Sequence, residues 1–334
     1  MTAPTDDLAA LGLALGPAVH HDHPLGALTT YRVGGTAALF IAPRDEAQLV
    51  EVGHALRGLR APVLVMGKGS NLLVADRGFD GLVVSLGAGF DSLSVDGATV
   101  TAGAGLSLPV LARRTAAAGL HGLEWAVGVP GSVGGAIRMN AGGHGSDTAA
   151  TLTGYRWVDL CSGEVHEASA ERLGFGYRHS DLRPTDVVVS GVHRLEPGDP
   201  AEGRATIEEI VRWRRANQPG GSNAGSVFTN PPGDSAGRII ESCGLKGFRL
   251  GTAEVSPRHA NFIQADPGGS ADDVFRLVDH VRSVVAGATG VTLRTEVRLV
   301  GFSGTGAGAD GTESDGVDAD ETGTHGAGAG DGAR

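Results

Sequence analysis

The sequence has no run of eighteen apolar residues, which is about the length that a membrane-spanning helix requires. No charged segment followed by an apolar one opens the chain, so we expect a protein that is not exported, does not contact a membrane and lies in the cytoplasm. Cysteine is nearly absent, and the two present, Cys161 and Cys243, are too few for a disulfide framework and lack the spacing of a metal site. We therefore predict no bound metal.

Clusters of lysine and arginine are missing as well. The formal net charge of −11 argues against a nucleic-acid surface, which gathers basic residues on one face. Residues 303–334 contain seven acids and one arginine, and so hold −6 of that charge. They are mostly Gly, Ala, Asp, Thr and Ser, with little to bury, so we expect a disordered acidic tail outside the fold.

The first 24 residues give a similar expectation. Residues 1–24 include His20, His21 and His23 beside Asp22. A metal site is conceivable there, but we prefer a partly disordered leader, because chain termini are usually loosely held.

Glycine is abundant between residues 128 and 145, where seven of the eighteen residues are Gly. Backbone without Cβ atoms can adopt positive φ angles or lie flat against a ligand. A loop hinge or a tight helix contact is the alternative. The apolar neighbours, 123–127 before and 136–137 within, are untypical of a flexible linker. We interpret the stretch as ordered backbone shaped around a ligand.

A second glycine-containing loop follows a short buried strand. Val63–Met66 leads directly into Gly67–Asn71, whose backbone N–H groups are suited to a phosphate. The loop is not a Walker A sequence, and no G-x-G-x-x-G opens a helix, so the loop alone is weak evidence.

Periodicity and capping residues predict the other elements. One helix begins at an Asp45 N-cap with Gln48 three residues on, and another begins at a Ser270/Asp273 capping box. Residues 291–299 alternate apolar and polar residues and predict one long strand with Glu296 on its polar face. Further strands are expected at 37–41, 81–86, 99–102, 153–160 and 186–195, and further helices at 107–118, 204–216 and 234–243, the last closed by Gly244.

The glycine-rich stretch carries a resemblance to a known family. Residues 128–135, followed by Met139-Asn-Ala-Gly142, resemble the flavin-facing segment of the UDP-N-acetylenolpyruvoylglucosamine reductases. The resemblance spans 25–302 and includes, in order, segments 31–36, 67–71, 176–180, 225–231, 253–262 and 293–297. It implies an α+β fold with a two-lobed FAD-binding domain of the vanillyl-alcohol-oxidase (PCMH) type and a third, α+β substrate-binding domain.

The resemblance also divides the chain and implies an activity. Lobe 1 would be 25–86 joined by a C-terminal strand at 291–302, lobe 2 would be 87–200, and the substrate-binding domain would be 201–290. The implied reaction is the NADPH-dependent, FAD-mediated reduction of UDP-N-acetylglucosamine enolpyruvate to UDP-N-acetylmuramate in peptidoglycan synthesis. The only partner implied is this small-molecule substrate, and we favour a monomer. FAD would be bound non-covalently, since His121 and His144, the nearest candidates for a covalent link, are better interpreted as structural.

Binding residues are carried over from the family motifs onto matching positions. Those implied to bind FAD are Arg32, Gly34, Gly67, Lys68, Gly69, Ser70, Asn71, Gly128, Pro130, Gly131, Ser132, Gly134, Gly135, Asn140, Gly142 and Gly145. Those implied to bind the substrate are Tyr177, Arg214, Asn217, Phe228, Asn230, His259 and Asn261.

Three side chains are implied to be catalytic: Arg178, Ser226 and Glu296. In the family the hydride goes to C3 of the enolpyruvyl group, the serine protonates C2, and the arginine and glutamate stabilise the enolate between those steps. A guanidinium suits a carboxylate that gains charge, and a serine hydroxyl can protonate a strongly basic carbon. From the residues alone, the alternatives are a surface salt bridge for Arg178, a turn serine for Ser226 and a charge ladder for Glu296.

The chain departs from the family pattern at two positions. Asn217 stands where members usually carry a lysine that meets the substrate diphosphate, so this contact is either missing or supplied by Arg214 or Arg215. Thr229 stands at a position that is often basic in the family. One branch of the family inserts a tyrosine-bearing loop between the arginine and serine motifs. No segment is left for it here, so the chain resembles the branch without this loop. Two other functions stay open: a sugar or alcohol oxidase of the same fold, and a non-catalytic flavin-binding module.

Overall fold

The computed structural model describes the backbone of residues 4–302 and the side chains from Asp6 onward. Its α-helices are α1 Pro4–Leu15, α2 Glu46–Leu56, α3 Leu108–Ala117, α4 Val133–Met139, α5 Pro200–Asn217, α6 Ala236–Ser242 and α7 Ala271–Thr289. Its strands are β1 Val19–Pro24, β2 Thr36–Ile41, β3 Val63–Met66, β4 Leu72–Val74, β5 Phe79–Ser85, β6 Leu93–Asp96, β7 Thr99–Gly103, β8 Leu120–His121, β9 Gly142–Gly143, β10 Ser146–Asp147, β11 Leu152–Asp159, β12 Glu164–Ser169, β13 Asp186–Arg194, β14 Glu196–Pro197, β15 Arg249–Leu250, β16 Ala253–Val255, β17 Ile263–Ala265 and β18 Arg298–Val300. The acidic tail predicted for 303–334 lies outside the described residues.

The first lobe is built on a sheet with the strand order β1-β2-β5-β3. In this sheet β1 is antiparallel to β2, whereas β2, β5 and β3 run parallel. The buried strand predicted before the glycine loop is β3, and the loop 67–71 connects it to β4. Because β4 pairs in parallel with β18, the loop leaves one sheet and enters another, and both of its ends are fixed.

The second lobe is an antiparallel sheet with the strand order β12-β11-β13-β7-β6. The strands predicted at 99–102, 153–160 and 186–195 are its β7, β11 and β13, which confirms them within one or two residues. One face of this sheet shares a core with α3, α4 and α5. The other face packs on α2 of the first lobe through residues such as Val158 and Val189. Burial on both faces therefore joins the two lobes.

The third domain consists of the small antiparallel sheet β15-β16-β17 with α6 and α7. Helix α7, which begins at the predicted capping box, buries Val274, Leu277 and Val281. The core of this domain continues into the first lobe through Tyr31 and Leu73. Apolar packing therefore attaches the third domain to the first lobe.

Hydrogen bonds confirm the predicted helix ends. Asp45 accepts from the backbone N–H of Gln48 at 2.8 Å, and Ser270 accepts from that of Asp273 at 3.1 Å. Gly244, immediately after the C-cap of α6, has a left-handed φ of +72°, as a helix-terminating glycine should.

The expectation of a partly disordered leader is wrong for residues 4–24. Helix α1 buries Leu11 completely in a core shared with α2, and β1 forms a regular antiparallel ladder with β2. The polar composition of β1 concealed this, because β1 is an edge strand whose histidines lie mostly outside the core. In residues 4–302, no three His, Cys, Asp or Glu side chains are grouped as a metal site would require.

The predicted boundary at residue 201 also differs from the packing. Helix α5 buries Ile207 and Ile210 in the core of the second lobe, and an added Cβ on Gly203 would lie 3.1 Å from the Cβ of Ala116 in α3. The helix therefore belongs to the second lobe, and the third-domain core begins beyond it. The apolar face of α5 was visible in the sequence, but nothing in it indicated which lobe it would cover.

The strand predicted at 291–299 is regular only at β18. Leu293 and Val297 are buried, as the alternation predicts, but the segment passes from the third domain to the first lobe along its length. Its backbone pairs first with residues 227–229 and then with Asn71. Crossing between two units limits the length over which it can pair with either.

Candidate active site

Glu296 lies where the two lobes and the third domain meet. Its backbone N–H donates to the carbonyl of Val227 in the third domain at 2.8 Å. Its own carbonyl accepts from Nδ2 of Asn71, in the first-lobe glycine loop, at 3.0 Å. Its carboxylate Oε1 accepts from Nε of Arg178, in the second lobe, at 3.0 Å. One residue thus gathers three segments that are far apart in sequence.

Arg178 is held in an unusual conformation. It lies in a tight turn closed by hydrogen bonds between Gly176 and His179, and its φ is +57°. A left-handed non-glycine residue is costly and persists where surrounding contacts impose it. Here Nη2 of Arg178 donates to the carbonyl of Gly142 at 2.9 Å, and Nδ2 of Asn140 donates to that of Gly176 at 3.0 Å. The glycine-rich stretch therefore fixes the guanidinium.

The Arg178–Glu296 ion pair is partly shielded from water, with side chains 24% and 17% exposed. Burial raises the pKa of Glu296, and the charge of Arg178 only partly opposes this. A carboxylate in this setting depends on its arginine partner to remain ionised.

Ser226 is brought beside this pair by backbone pairing. The next residue, Val227, bonds to Glu296 through its carbonyl and donates its N–H to the carbonyl of Asn261 at 2.8 Å. Ser226 is half-buried, and its hydroxyl has no hydrogen-bond partner among residues 4–302. The hydroxyl is therefore available to a ligand at the same junction.

A cleft with about 620 Å³ of empty space runs between the two lobes. The first lobe contributes Gly67 and Lys68, and the second contributes Ser132, Gly134 and Gly135 from the start of α4. An added Cβ on Gly67 would lie 2.5 Å from Oγ of Ser132, so glycine allows the two predicted segments to come this close.

Two arginines in this cleft were missed by sequence reasoning. Arg138 of α4 and Arg298 of β18 both line it, and neither has an acidic partner among residues 4–302 within salt-bridge distance. Nη1 of Arg138 is buried without any hydrogen bond. Burial lowers the pKa of both guanidinium groups. For Arg138 the positive charge of Arg298 lowers the pKa further, and the carboxylate of Asp186, which also lines the cleft, partly opposes this.

Two half-buried guanidinium groups without a salt bridge, one of them with a buried unbonded nitrogen, fit an anionic ligand. A diphosphate between the lobes would supply the missing acceptor, and FAD carries one. The sequence contained a signal for both arginines. Arg138 lies within the glycine-rich stretch 128–145, and Arg298 lies on the same face of the predicted strand as Glu296.

Several residues predicted to bind FAD are engaged within the protein. The Nδ2 group of Asn140 donates to Asp147 and Gly176, while Oδ1 accepts from the N–H of Ala149. Asn71 donates to Glu296. These two amides hold the Arg178 turn and the Glu296 segment, and so position other groups.

The backbone N–H groups at the start of α4 are also used internally. Those of Val133 and Gly134 donate to the carbonyls of Leu106 and Ala104, and that of Gly135 to Oγ of Ser132. These N–H groups are therefore not free for a ligand, and Gly134 serves close packing, since an added Cβ would lie 2.9 Å from the Cβ of Ala104.

The remaining predicted FAD residues lie outside the cleft lining. Gly34 and Gly69 have positive φ, and an added Cβ would collide with the carbonyls of Val74 and Leu28, so both are required by the fold of the first lobe. Arg32 is exposed and also left-handed, at +56°. The carbonyls of Gly131 and Gly142 accept from Leu108 and Arg178. Connections between these segments contain the remaining four predicted residues, Ser70, Gly128, Pro130 and Gly145.

The residues predicted to bind substrate fall into two groups. Phe228 is 1% exposed within the third-domain core, and the buried amide of Asn261 bonds to its backbone on both sides, so these two support the Ser226 loop. Oδ1 of Asn230 likewise accepts from the N–H of Ala236 at the start of α6. His259, whose pKa is lowered by burial, accepts from the N–H of Asn261.

The other group is more accessible. The ring of Tyr177 is 64% exposed and lies 5.0 Å from the guanidinium carbon of Arg178. Arg214 is half-buried, donates to Gln218 and has a pKa lowered by burial. Asn217, in place of the usual lysine, donates its amide to the carbonyl of Trp213.

Comparison with known proteins shows which family the chain belongs to. A protein from Heliobacterium modesticaldum named UDP-N-acetylenolpyruvoylglucosamine reductase is 45% identical over 295 residues, which cover 87% of this chain and 93% of the relative. The chain belongs to the UDP-N-acetylenolpyruvoylglucosamine reductase family. A second member, from Rubrobacter xylanophilus, is 42% identical over 290 residues, covering 86% of this chain and 97% of its own.

Domain and structure comparisons agree with this family. The model of the C-terminal domain of the UDP-N-acetylenolpyruvoylglucosamine reductases matches residues 217–300, and that of an FAD binding domain matches 37–169. The crystal structure of the family member from Thermus caldophilus has a TM-score of 0.75 and 36% identity, covering 84% of this chain and 98% of its own. The predicted α+β fold with an FAD-binding domain is thereby confirmed, and the C-terminal match begins at the last residue of α5.

Proposed function

We propose that the protein reduces the enolpyruvyl group of UDP-N-acetylenolpyruvoylglucosamine to give UDP-N-acetylmuramate, with NADPH as the reductant and non-covalent FAD between the lobes. The observation that carries the proposal is the junction at Glu296. It joins an arginine fixed in a left-handed turn to a shielded carboxylate, and pairs that segment with the loop that carries Ser226. Arg298, two residues after Glu296, lines the cleft between the lobes.

FAD, when bound, supplies hydride transfer. Gly67 and Lys68 of the first lobe and Ser132–Gly135 of the second would enclose it, with the guanidinium groups of Arg138 and Arg298 toward its diphosphate. Both His121 and His144 have other contacts, to Glu124 and to the ring of Trp213, which supports a non-covalent cofactor.

The chain's own residues handle the charge and the proton. When hydride arrives at C3, negative charge develops on the enolate and its carboxylate. Arg178 would stabilise that charge, since its guanidinium is already oriented by Glu296 and Gly142 and needs little rearrangement. Ser226 would then donate its hydroxyl proton to C2, a carbon basic enough for a weak acid to protonate. Glu296 would keep the guanidinium of Arg178 in position through their ion pair, and its charge would contribute to the electrostatics of the site.

The nucleotide end of the substrate would extend toward α5 and the third domain. Tyr177, Arg214 and His259 border this side, and Arg214 has no acidic partner in the described part of the chain. The described residues include no helix that is both long and apolar enough to cross a membrane. We propose that the enzyme acts in the cytoplasm as a monomer on this dissolved nucleotide sugar.

The test is NADPH oxidation by the purified protein with and without the enolpyruvyl substrate. We expect consumption of one NADPH for each substrate reduced, with slow oxidation in its absence. Oxygen-dependent turnover of a sugar or alcohol would instead identify an oxidase of the same fold. A flavin that NADPH cannot reduce would contradict the proposed activity.

A further inference from the structure

Trp213 differs from the other tryptophans of the chain in its exposure. Trp125 and Trp157 are each 4% exposed, whereas Trp213, near the end of α5, is 48% exposed. It lies off the face that α5 buries through Ile207 and Ile210. Its ring meets that of His144 edge to face, with centroids 5.1 Å apart and an angle of 87°. An indole that is anchored by one ring contact while about half of the residue stays exposed can receive another flat ring.

The contact with His144 connects Trp213 to the active site. His144 is at the tip of the hairpin formed by β9 and β10 and has a left-handed φ of +51°. The same hairpin begins at Gly142, whose carbonyl binds the guanidinium of Arg178. Two residues of extended chain span at most about 7 Å, so the contact with His144 links the indole to the hairpin that holds Arg178.

The end of α5 is fixed from the other side as well. Nη1 of Arg258, in the third domain, donates to the carbonyls of Arg215 at 2.9 Å and Gln218 at 3.2 Å. Trp213 therefore lies where the second lobe meets the third domain, and both anchor its helix. Its neighbours Arg214 and Arg215 have no acidic partner within salt-bridge distance among residues 4–302. A helix end that carries an exposed indole and two arginines without salt bridges suits a nucleotide, which combines a base with phosphates.

We propose that Trp213 is a binding residue that stacks on the uracil ring of the substrate. This inference rests on the proposed function. The enolpyruvyl group must lie at Arg178 and Ser226, and a sugar and a diphosphate separate it from the base. The base must therefore lie away from the junction, on the side where Trp213 is exposed. Asn217 is directed to the backbone of the same helix, so binding on this side depends on the indole and the neighbouring arginines.

The test is calorimetric titration of UDP into the oxidised holoenzyme. Replacing a base-stacking aromatic with alanine usually weakens binding by about 5- to 150-fold. We expect Trp213→Ala to show a loss in this range and Trp213→Phe to retain most of the affinity. The matched control is Phe248→Ala, because Phe248 is also exposed and its ring stacks on His280 at 4.6 Å, in the third domain. This control should bind UDP like the wild type.

Kinetics supply the second readout. A residue that holds only the base binds ground state and transition state alike, so Trp213→Ala should raise KM for the substrate with kcat nearly unchanged. Reduction of the flavin by NADPH should keep its rate and NADPH concentration dependence. Unchanged UDP affinity in Trp213→Ala would overturn the inference, as would weaker NADPH binding with normal UDP binding. A wild-type protein that fails to bind UDP or to reduce the substrate would instead refute the proposed function.

Discussion

Ser226 is the residue for which the structure permits the sharpest functional test. Its assigned role is delivery of a proton to C2, which follows hydride transfer and plays no part in flavin reduction by NADPH. We expect Ser226→Ala to leave that reduction near the wild-type rate and to slow reoxidation by the substrate about 10²-fold or more. Stopped-flow absorbance of the flavin measures both steps.

A matched variant separates proton donation from positioning. Ser226→Cys keeps a donor and should retain more activity than alanine. Equal slowing of both half-reactions by Ser226→Ala would show that the serine orients flavin or nicotinamide, and the proton-donor role would then be wrong.

At the residue scale, sequence reasoning picked out Arg178, Ser226 and Glu296 but not what holds them. The structure joins Arg178 and Glu296 in an ion pair and pairs the backbone of Glu296 with Val227, the residue after Ser226. Phe228 stands in the motif of Ser226 and Asn261 in another, yet both face inward and support the serine loop. Pairing with segments that are distant in sequence, such as 294–296, decides which members of a motif face a ligand. The local sequence pattern carries no information about this pairing.

Helix α4 gives a prediction with two opposite effects. Arg138 holds a buried charge with an unbonded Nη1, which is unfavourable until an anion arrives. We expect Arg138→Gln to weaken FAD binding to apoprotein at least 10-fold, while the melting temperature of the apoprotein stays the same or rises. Fluorescence titration with FAD and thermal unfolding without it provide the two measurements.

The control is Arg113→Gln on α3, an exposed arginine whose side chain, among the described residues, bonds only to the carbonyl of Pro109 in its own helix. It should change neither FAD affinity nor apoprotein stability. If Arg138→Gln lowered apoprotein stability and left FAD affinity unchanged, Arg138 would be a structural residue and not part of the cofactor site.

Strand β13 contains a buried histidine whose ionisation should couple to stability. His193 is 2% exposed in the second lobe, and burial lowers its pKa from 6.5 to about 4. Between pH 6.5 and 4 the unfolded chain therefore binds a proton at this histidine, whereas the folded protein does not. Stability conferred above pH 6.5 is lost as the pH falls toward 4, by about 3 kcal/mol in total.

The His193→Gln variant isolates this effect. Urea unfolding at a series of pH values should show the wild type losing stability relative to the variant between pH 6.5 and 4. Parallel curves for the two proteins across this interval would mean that His193 is protonated in the folded state.

At the element scale, prediction succeeded where local chemistry decides the outcome. Caps such as Asp45 and Ser270 and the glycine after α6 are read correctly because each bond lies within one turn. It failed for α1 and β1, whose order depends on Leu11 meeting α2 and on pairing with β2. It also failed for the placement of α5, since an apolar face does not identify the surface that it will cover.

At the scale of the whole molecule, the interlobe cleft and the Glu296 junction are each built from segments that are far apart in sequence. The cleft is lined by Gly67, Lys68 and Arg298 on one side and by residues of α4 on the other, and the junction joins the Arg178 turn, Glu296 and the Ser226 loop. We propose that FAD binds in this cleft. A ligand that contacts both lobes binds the folded protein and not the unfolded chain. Its binding free energy therefore adds to the stability of the whole arrangement.

This coupling predicts how the flavin should behave on unfolding. We expect the melting temperature of the holoprotein to exceed that of the apoprotein and to rise with the logarithm of added FAD. Heat or acid should release intact FAD into the supernatant, because no covalent link is expected and the cleft exists only while the lobes are packed together. Arg138→Gln should shrink the FAD-dependent rise, and Arg113→Gln should preserve it. Yellow colour that stays with the precipitated chain would show a covalent flavin, and a melting temperature indifferent to FAD would place the cofactor outside the interlobe cleft.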